Sequence, residues 1–328
     1  MPKKSRAGQV LGLLLEADQP RSGQEIGERL GCSRAAVGKA VAGLREQGFV
    51  IEARSRLGYT LVSEPDLVLP ARLEARLSPQ SLGLPLIHFD EIDSTNLQAR
   101  KLAEAGAEHG ACLVAEYQNA GRGRLDRRWS APPRTCLLFS LILRPGWGLD
   151  RVFGLTNLAA VALCRAVENL CGLKPGIKWP NDVFLDGCKL AGVLTEFTCR
   201  AEALEFVVLG VGLNVNLSPP QLAKLPAPAA SLKAGLGRDV DRALLLTAFL
   251  SEISELYPEA AAGAMHRLGL EYNRRSLLIG HRVAVRDGQE VRSGIARGVA
   301  PDGALLLEES PGRIISIRHG DVTVLSME

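Results

Sequence analysis

The sequence predicts an α+β protein made of three successive units: a helical unit closed by a β-hairpin, a mixed α/β domain, and a small all-β unit. Three observations carry this reading. The first 48 residues place apolar side chains at helical spacing between turn residues. From about Ser81 to Ala264, strand-like apolar runs alternate with amphipathic helical stretches. From Arg275 onward, short alternating strands are divided by Gly and Asp turns.

The elements follow in order. Val10 to Ala17 reads as a short apolar helix. In "SGQEIGERLG", Ser22 is an N-cap with Glu25 at the capping-box spacing, and Ile26 and Leu30 share one face. Gly31 permits a tight turn, and Ser33 caps "RAAVGKAVAGLREQG", where Val37, Val41 and Leu44 recur on one side until Gly48. "FVIEARSRLGYTLV" reads as two strands around a basic tip. Helix, tight turn, helix and hairpin is the order of a winged helix-turn-helix, which sets its second helix against base edges and keeps basic groups for phosphates. Ser33, Arg34 and Lys39 on that helix and Arg54 and Arg56 at the hairpin tip are the DNA-contact candidates. The alternative is a three-helix module with solvated arginines.

The polar, proline-containing "SEPDLVLP" is the expected linker. Beyond it, "CLLFSLILRP" and "LEFVVLGVGLNVNL" are strand-like, whereas "NLQARKLAEAGA", "FGLTNLAAVALCRAVENLCG" and "DVDRALLLTAFLSEISELY" are helical. Asp93 to Asn96 supply N-cap candidates for the first of these helices. The C-terminal strands suggest a small barrel or sandwich. Domains are therefore expected at 1–64, 65–274 and 275–328.

Composition narrows the function classes. The 328 residues are 23% charged and 46% hydrophobic, with a net charge of +3, so a basic surface has to be local. Seven cysteines form no CxxC pair and five histidines no HExxH, which argues against a metal site or a disulfide framework. The apolar run near the N-terminus is interrupted by Glu16 and Asp18, too soon to span a membrane. A soluble cytoplasmic protein is expected, with no membrane partner.

Three stretches carry candidate chemistry. "QNAGRGRLDRRW" (Gln118 to Trp129) alternates glycine with arginine. It lacks the GK[ST] of a P-loop, and Asp126 stands where a dinucleotide fingerprint has its third glycine. Its glycines still let backbone amides approach an anion, and its arginines carry forked donors suited to phosphate. In "KWPNDVFLDGCKLAGVLTE", pairing of the flanking strands would gather Lys178, Asp182 and Lys189, with Gly187 and Gly192 leaving room for a ligand. In "GVGLNVN", Asn214 and Asn216 end a strand, where they suit either a polar ligand or a turn.

"DSTN", "AEYQNAGRGR…W", "KWPNDVFLDGCKLAG" and "GVGLNVN" together resemble, in order and spacing, the bacterial bifunctional biotin–protein ligases that also repress the biotin operon. The resemblance extends over nearly the whole chain. It implies a catalytic domain similar to class II aminoacyl-tRNA synthetases and a C-terminal SH3-like β-barrel. It also implies ATP, Mg2+ and biotin as cofactors and substrates, with biotinyl-5′-AMP as intermediate and corepressor. The implied partners are the biotin carboxyl carrier protein of acetyl-CoA carboxylase, operator DNA, and a second copy of the chain once the adenylate is bound.

Site roles follow from the resemblance. Ser94, Thr95, Asn96 and Gln118 would meet the biotin head group. Arg122, Gly123 and Arg124 would fold over the ligand, Arg122 near the carboxylate and phosphate and Arg124 retaining the adenylate. Trp129 and Asn214 would contact adenine, with Lys178 nearby. Lys189 would bridge the biotin carboxyl and the α-phosphate, and Asp182 would orient or deprotonate the acceptor lysine. The chain departs from the family at Leu125-Asp126, where arginine-glycine is usual. Three alternatives stay open: a biotin sensor with little ligase activity, a lipoate–protein ligase, and a ligase without an operator. Cys188, beside Lys189, reads as a small buried apolar residue.

Overall fold

The computed structural model describes residues 4–125, 127–200, 203–263 and 265–326. The first unit comprises α1 (Arg6–Leu15), α2 (Gly23–Leu30), α3 (Arg34–Glu46), β1 (Val50–Arg54) and β2 (Gly58–Ser63). Ser22 Oγ accepts the Glu25 amide and Ser33 Oγ the Ala36 amide, each satisfying an orphan donor of its helix. Gly31 closes α2 at φ +60°. The first helix starts four residues earlier than Val10, because Ser5 caps it by accepting the Gly8 amide. Val10, Leu11, Ile26, Val37, Val41 and Leu44 form the core of this unit.

The expected linker leads directly into α4 (Pro70–Arg76), which lies against α1. Gly12 of α1 makes that approach possible: a Cβ there would stand 3.3 Å from the Ala75 carbonyl oxygen. Leu69 and Ala71 are buried in the core of the first unit, whereas Val68 and Leu73 belong to the next one. The segment is a shared wall between two cores.

The central unit runs through β3 (Leu86–Phe89), α5 (Thr95–Glu104), β4 (Cys112–Ala115), β5 (Cys136–Leu143), α6 (Val152–Cys171), β6 (Gly176–Lys178), β7 (Asp182–Leu185), β8 (Cys188–Arg200) and β9 (Ala203–Asn214). It continues through the short α7 (Pro219–Leu222) and α8 (Leu232–Leu236) to α9 (Arg242–Ala261) and α10 (Met265–Arg275). The strands form one seven-stranded sheet in the order β3-β4-β5-β9-β8-β7-β6, parallel only between β3 and β4.

The period-2 alternation of β5 and β9 assigns their two faces. Leu137, Phe139 and Leu141 of β5, with Val207, Leu209, Val211 and Leu213 of β9, enter the main core, which also takes in α6 and α9. Ile142, Phe206 and Val208 pack with Ala99 and Ala103 of α5 on the opposite face. Farther along that second face come Ser140, Gly210, Gly212 and Asn214. Two small glycines in alternate positions make room for Asn96 and Trp129, which pack over Gly210 and Gly212.

The C-terminal unit holds β10 (Arg282–Asp287), β11 (Glu290–Val299), β12 (Leu305–Ser310), β13 (Arg313–Ile317) and β14 (Asp321–Ser326). They make an antiparallel sheet in the order β13-β12-β11-β10-β14, with no pairing of its two end strands among the described residues. Among the described residues no helix is long and apolar enough to cross a membrane.

Candidate functional site

The sheet face that carries Gly210 and Gly212 borders a chamber of about 800 Å³, a volume that suits two substrates held together. Ser94, Thr95, Asn96, Gln118, Arg122, Gly123, Arg124, Trp129, Lys178, Asp182, Lys189 and Asn214 all line it. The structure thus gathers these twelve residues of the central unit in one place, while Asn216 and Gly187 lie outside the lining.

At one end, Gln118 Oε1 accepts both the Thr95 amide (2.6 Å) and the Thr95 hydroxyl (3.0 Å). Ser140 Oγ lies 2.8 Å from Thr95 Oγ1 and donates to Asn96 Oδ1 at 2.6 Å. Asn96 Nδ2 donates to Glu196 Oε2 at 2.7 Å. Both ends of the Asn96 amide are therefore engaged by protein, and Asn96 shapes this wall from behind. Gly210 permits this arrangement, since a Cβ there would stand 2.7 Å from Asn96 Cγ. Ser94 is the N-cap residue of α5 but makes no side-chain capping bond, and its own amide is taken by Asp93 at 2.6 Å.

The glycine–arginine loop is a small hairpin over the chamber. Arg122 and Arg128 form a bridge, Gly123 N donates to Arg127 O at 2.7 Å, and Trp129 N donates to Gly121 O at 3.0 Å. Gly121 is small because the Trp129 carbonyl presses against it, so its role lies in the hairpin and not in anion approach. Leu125 holds the turn at φ +53° and is 69% exposed, a strained position for a branched apolar residue. Asp126, its partner in the departure from the family pattern, lies outside the described residues. Arg122 reaches Glu196 at 3.4 Å, and Arg124 reaches Asn181 at 3.2 Å and the Gly320 carbonyl at 3.3 Å. Arg127 and, more distantly, Arg124 face Asp321 of the C-terminal sheet, which joins the chamber wall.

The opposite side is built by β6, β7 and β8. Their antiparallel register sets Lys178 beside Asp182 and Asp182 beside Gly192. Lys189 Nζ lies 2.7 Å from Asp182 Oδ1 and 5.9 Å from the centre of the Trp129 ring. Lys178 turns its ammonium over Phe184, so the acid pairs with one of its two flanking lysines. A Cβ at Gly192 would stand 3.4–3.5 Å from Lys189 and Asp182, an ordinary contact, so the pair does not depend on glycine there. Gly187 has open space around it and a φ of +75°; it serves the β7–β8 turn, not ligand approach. Cys188 is half-buried rather than buried.

Trp129 lies across Gly212, and its buried Nε1 has no hydrogen-bond partner among the described residues. Asn214 Nδ2 donates to Ala230 O at 3.0 Å, and its Oδ1 accepts from Cys136 Sγ at 3.4 Å. Asn216 bonds the Val240 backbone in both directions and does not line the chamber; its role is to hold a loop.

Ser140, Glu196, Asn181 and Asp321 were not singled out by the sequence. Ser140 alone carried a signal, as the polar residue inside the apolar "CLLFSLIL". The DNA-contact candidates lie apart from the chamber. Arg34 and Lys39 are exposed on α3 and Ser33 caps it. Arg54 pairs with Glu52 at 3.0 Å, and Arg56 sits at the hairpin tip with φ +63°.

The chain matches three family models: an HTH domain over residues 6–60, the biotin/lipoate A/B protein ligase family over 88–214, and the biotin protein ligase C terminal domain over 278–325. It is 35% identical over 292 residues to the bifunctional ligase/repressor BirA of Bacillus subtilis (strain 168), covering 89% of this chain and 90% of that protein. It is 30% identical over 322 residues to the bifunctional ligase/repressor BirA of Escherichia coli (strain K12), covering 96% of each. Its structure resembles the biotin protein ligase from Aquifex aeolicus in complex with biotin and ATP, with a TM-score of 0.62 and 28% identity over 73% of this chain and 98% of that one.

Proposed function

The chain belongs to the BirA family of bifunctional biotin–protein ligases and repressors, and from that premise we propose that it is an ATP-dependent biotin–protein ligase that also represses biotin biosynthesis genes. The observation that carries the ligase reading is the Lys189–Asp182 pair, set at 2.7 Å in a chamber it shares with the arginine hairpin and the Thr95–Gln118 wall.

In the proposed first step a biotin carboxylate oxygen attacks the α-phosphorus of MgATP. A C–O–P bond forms, the bond from the α-phosphorus to the departing pyrophosphate breaks, and biotinyl-5′-AMP results. Two like unit charges 4 Å apart repel by about 4 kcal/mol at an effective dielectric of 20. Bringing a carboxylate onto a phosphate therefore needs cations already in place. Lys189, Arg122 and Arg124 fill that role, with the head group fixed by Ser94, Thr95 and Gln118. Trp129 and Asn214 would flank the adenine, with Lys178 beside the polyphosphate. In the second step the acceptor lysine's amine attacks the acyl carbonyl. An amide forms, AMP leaves with the acyl oxygen, and Asp182 would orient the amine and take its proton. Mg2+ would arrive on the polyphosphate, because Asp182 and Asp321, the carboxylates among the described lining residues, are each already paired with a cation.

The repressor role rests on α3 and the β1–β2 wing, with Ser33, Arg34, Lys39, Arg54 and Arg56 as the contact set for operator DNA. Dimerisation on the adenylate is proposed through the central sheet. β7 covers β8 only as far as Gly192, and the remaining edge carries Phe197, 44% exposed. The proposed acceptor is the biotin carboxyl carrier protein, the proposed location the cytoplasm. The C-terminal sheet is read as an SH3-like barrel and the central fold as a relative of class II aminoacyl-tRNA synthetases.

The test is incorporation of labelled biotin into a carrier domain with MgATP; no transfer would overturn the ligase reading. Lys189→Ala is expected to abolish adenylation. For the repressor, binding to the DNA upstream of biotin genes should tighten with biotinyl-AMP at fixed salt. Binding indifferent to the adenylate would remove the corepressor role.

A further inference from the structure

A group of buried charges lies outside the chamber, at the base of the arginine hairpin. Glu116 is 3% and Arg242 1% exposed. Their side chains meet at 2.6 Å. Glu116 Oε1 also accepts the Val68 amide at 3.0 Å, and Arg242 donates to the Asp66 carbonyl at 3.0 Å. Arg72 completes the hold on this segment by donating to the Pro65 and Leu67 carbonyls at 3.1 and 3.3 Å. The backbone joining the N-terminal unit to the central one is thus gripped at every residue from Pro65 to Val68 by three buried charged side chains.

The same two residues hold both ends of the hairpin segment. Glu116 is two residues before Gln118, and its carbonyl accepts the Arg134 amide at 2.9 Å. Arg242 donates to the Cys136 carbonyl at 3.3 Å, where the segment rejoins the sheet and Cys136 meets Asn214. A buried ion pair is seldom retained for stability alone, since apolar residues of similar volume do as well or better. What this pair supplies is geometry. It fixes the hairpin's two roots and the interdomain segment to one another.

We propose that Glu116 and Arg242 are positioning residues that couple the hairpin over the chamber to the Glu64–Val68 segment, so that ligand-driven ordering of the hairpin tightens the N-terminal unit's attachment. By linkage the coupling is reciprocal: a loosened attachment weakens ligand binding. This rests on the chamber being the biotin and ATP site.

The test is hydrogen–deuterium exchange on the full chain, with and without biotin and MgATP, beside steady-state biotinylation of a carrier domain. In the wild type, peptides spanning 118–135 and 64–69 both slow on ligand addition. In Arg242→Met, and in Arg242→Lys if the first fails to fold, the 64–69 protection is lost. The KM for biotin then rises roughly tenfold, the scale of one charge-assisted hydrogen bond, with kcat held within about twofold. A purely structural role would lower the melting temperature and leave KM unchanged, which overturns the proposal. Protection of 118–135 without 64–69 in the wild type also overturns it, while the ligase reading stands. Protection of neither segment overturns both.

Discussion

Gly210→Ala tests the chamber at its tightest point. The new methyl would stand 2.7 Å from Asn96 Cγ and 2.9 Å from Asn96 Nδ2, with Oδ1 nearer still. Carbon contacts are comfortable at about 3.5 Å or more, so the Asn96 amide has to retreat by roughly an ångström. That breaks the bond from Ser140 at 2.6 Å and the bond to Glu196 at 2.7 Å. A neutral hydrogen bond contributes about 1 kcal/mol and one to a charged group about 1.5–3, so the expected destabilisation is roughly 3–4 kcal/mol. Ser140 also supports Thr95, so the wall facing the biotin head group moves with Asn96. Biotin binding, measured by calorimetric titration without ATP, should weaken by about a hundredfold or more, equivalent to roughly 3 kcal/mol. Asn96→Ala in the same chain removes the clash but not the loss of these two bonds, so both the melting temperature and biotin affinity should stay low. Gly212→Ala presses on Trp129 instead, at 2.7 Å, and should raise the KM for ATP more than that for biotin. Wild-type biotin affinity in a folded Gly210→Ala protein would refute the assignment of this wall.

Three further outcomes are expected. Leu125→Gly removes a left-handed penalty of about 1 kcal/mol from the hairpin as seen over the chamber. Biotinyl-AMP should then dissociate about fivefold more slowly, and an unchanged rate would mean that the turn does not limit closure. Burial pushes the Glu116 carboxyl up, but hydrogen bonds from His88 and Val68 and the Arg242 charge outweigh it and hold the pKa at about 2. Its contribution is therefore fully present above the ordinary carboxylate pKa and is lost as pH falls from about 4.5 towards 2, roughly 3 kcal/mol in all. Acid titration of Glu116→Gln should lack this part of the stability loss; an identical acid transition would contradict it. Lys39→Gln should reduce the slope of log affinity for operator DNA against log salt by about 1, and an unchanged slope would place Lys39 off the phosphate backbone.

The local parts of the fold were legible because local rules govern them. Ser22, Ser33 and Gly31 sit where capping chemistry predicts, and the alternation in β5 and β9 fixes which residues enter the core. The pairing that gathers Asp182 and Lys189 was legible for the same reason, since one short turn sets the register. The apolar run alone puts the start of the first helix four residues late, because that start depends on a cap, Ser5, outside the run. Glycines were the weak point. "GRGR" and "DGCKLAG" suggested ligand approach at Gly187, where the backbone needs only a left-handed turn. Gly210 and Gly212, which make room for the chamber walls Asn96 and Trp129, carry no signal of their own beside the asparagines that follow them. A glycine's reason lies in what stands opposite it, and that neighbour comes from a distant part of the chain.

The same limit hides how the linker is held. "SEPDLVLP" has the composition of a flexible connection, and its polar side chains support that reading. Its backbone, however, is bound by Glu116, Arg72 and Arg242, and Arg242 contacts Asp66 across 176 positions. Backbone carbonyls and amides are identical in every sequence, so a segment held through them looks like a segment held by nothing. Arg242 was visible only as the start of an amphipathic helix and Glu116 only as the acid in "AEYQN". Each looked solvated because its partner's position was unknown. A buried arginine cannot be left without acceptors, since the desolvated charge would be too costly. Each such residue therefore marks a point where distant segments must converge, and here that point lies between the hairpin over the chamber and the unit expected to meet DNA.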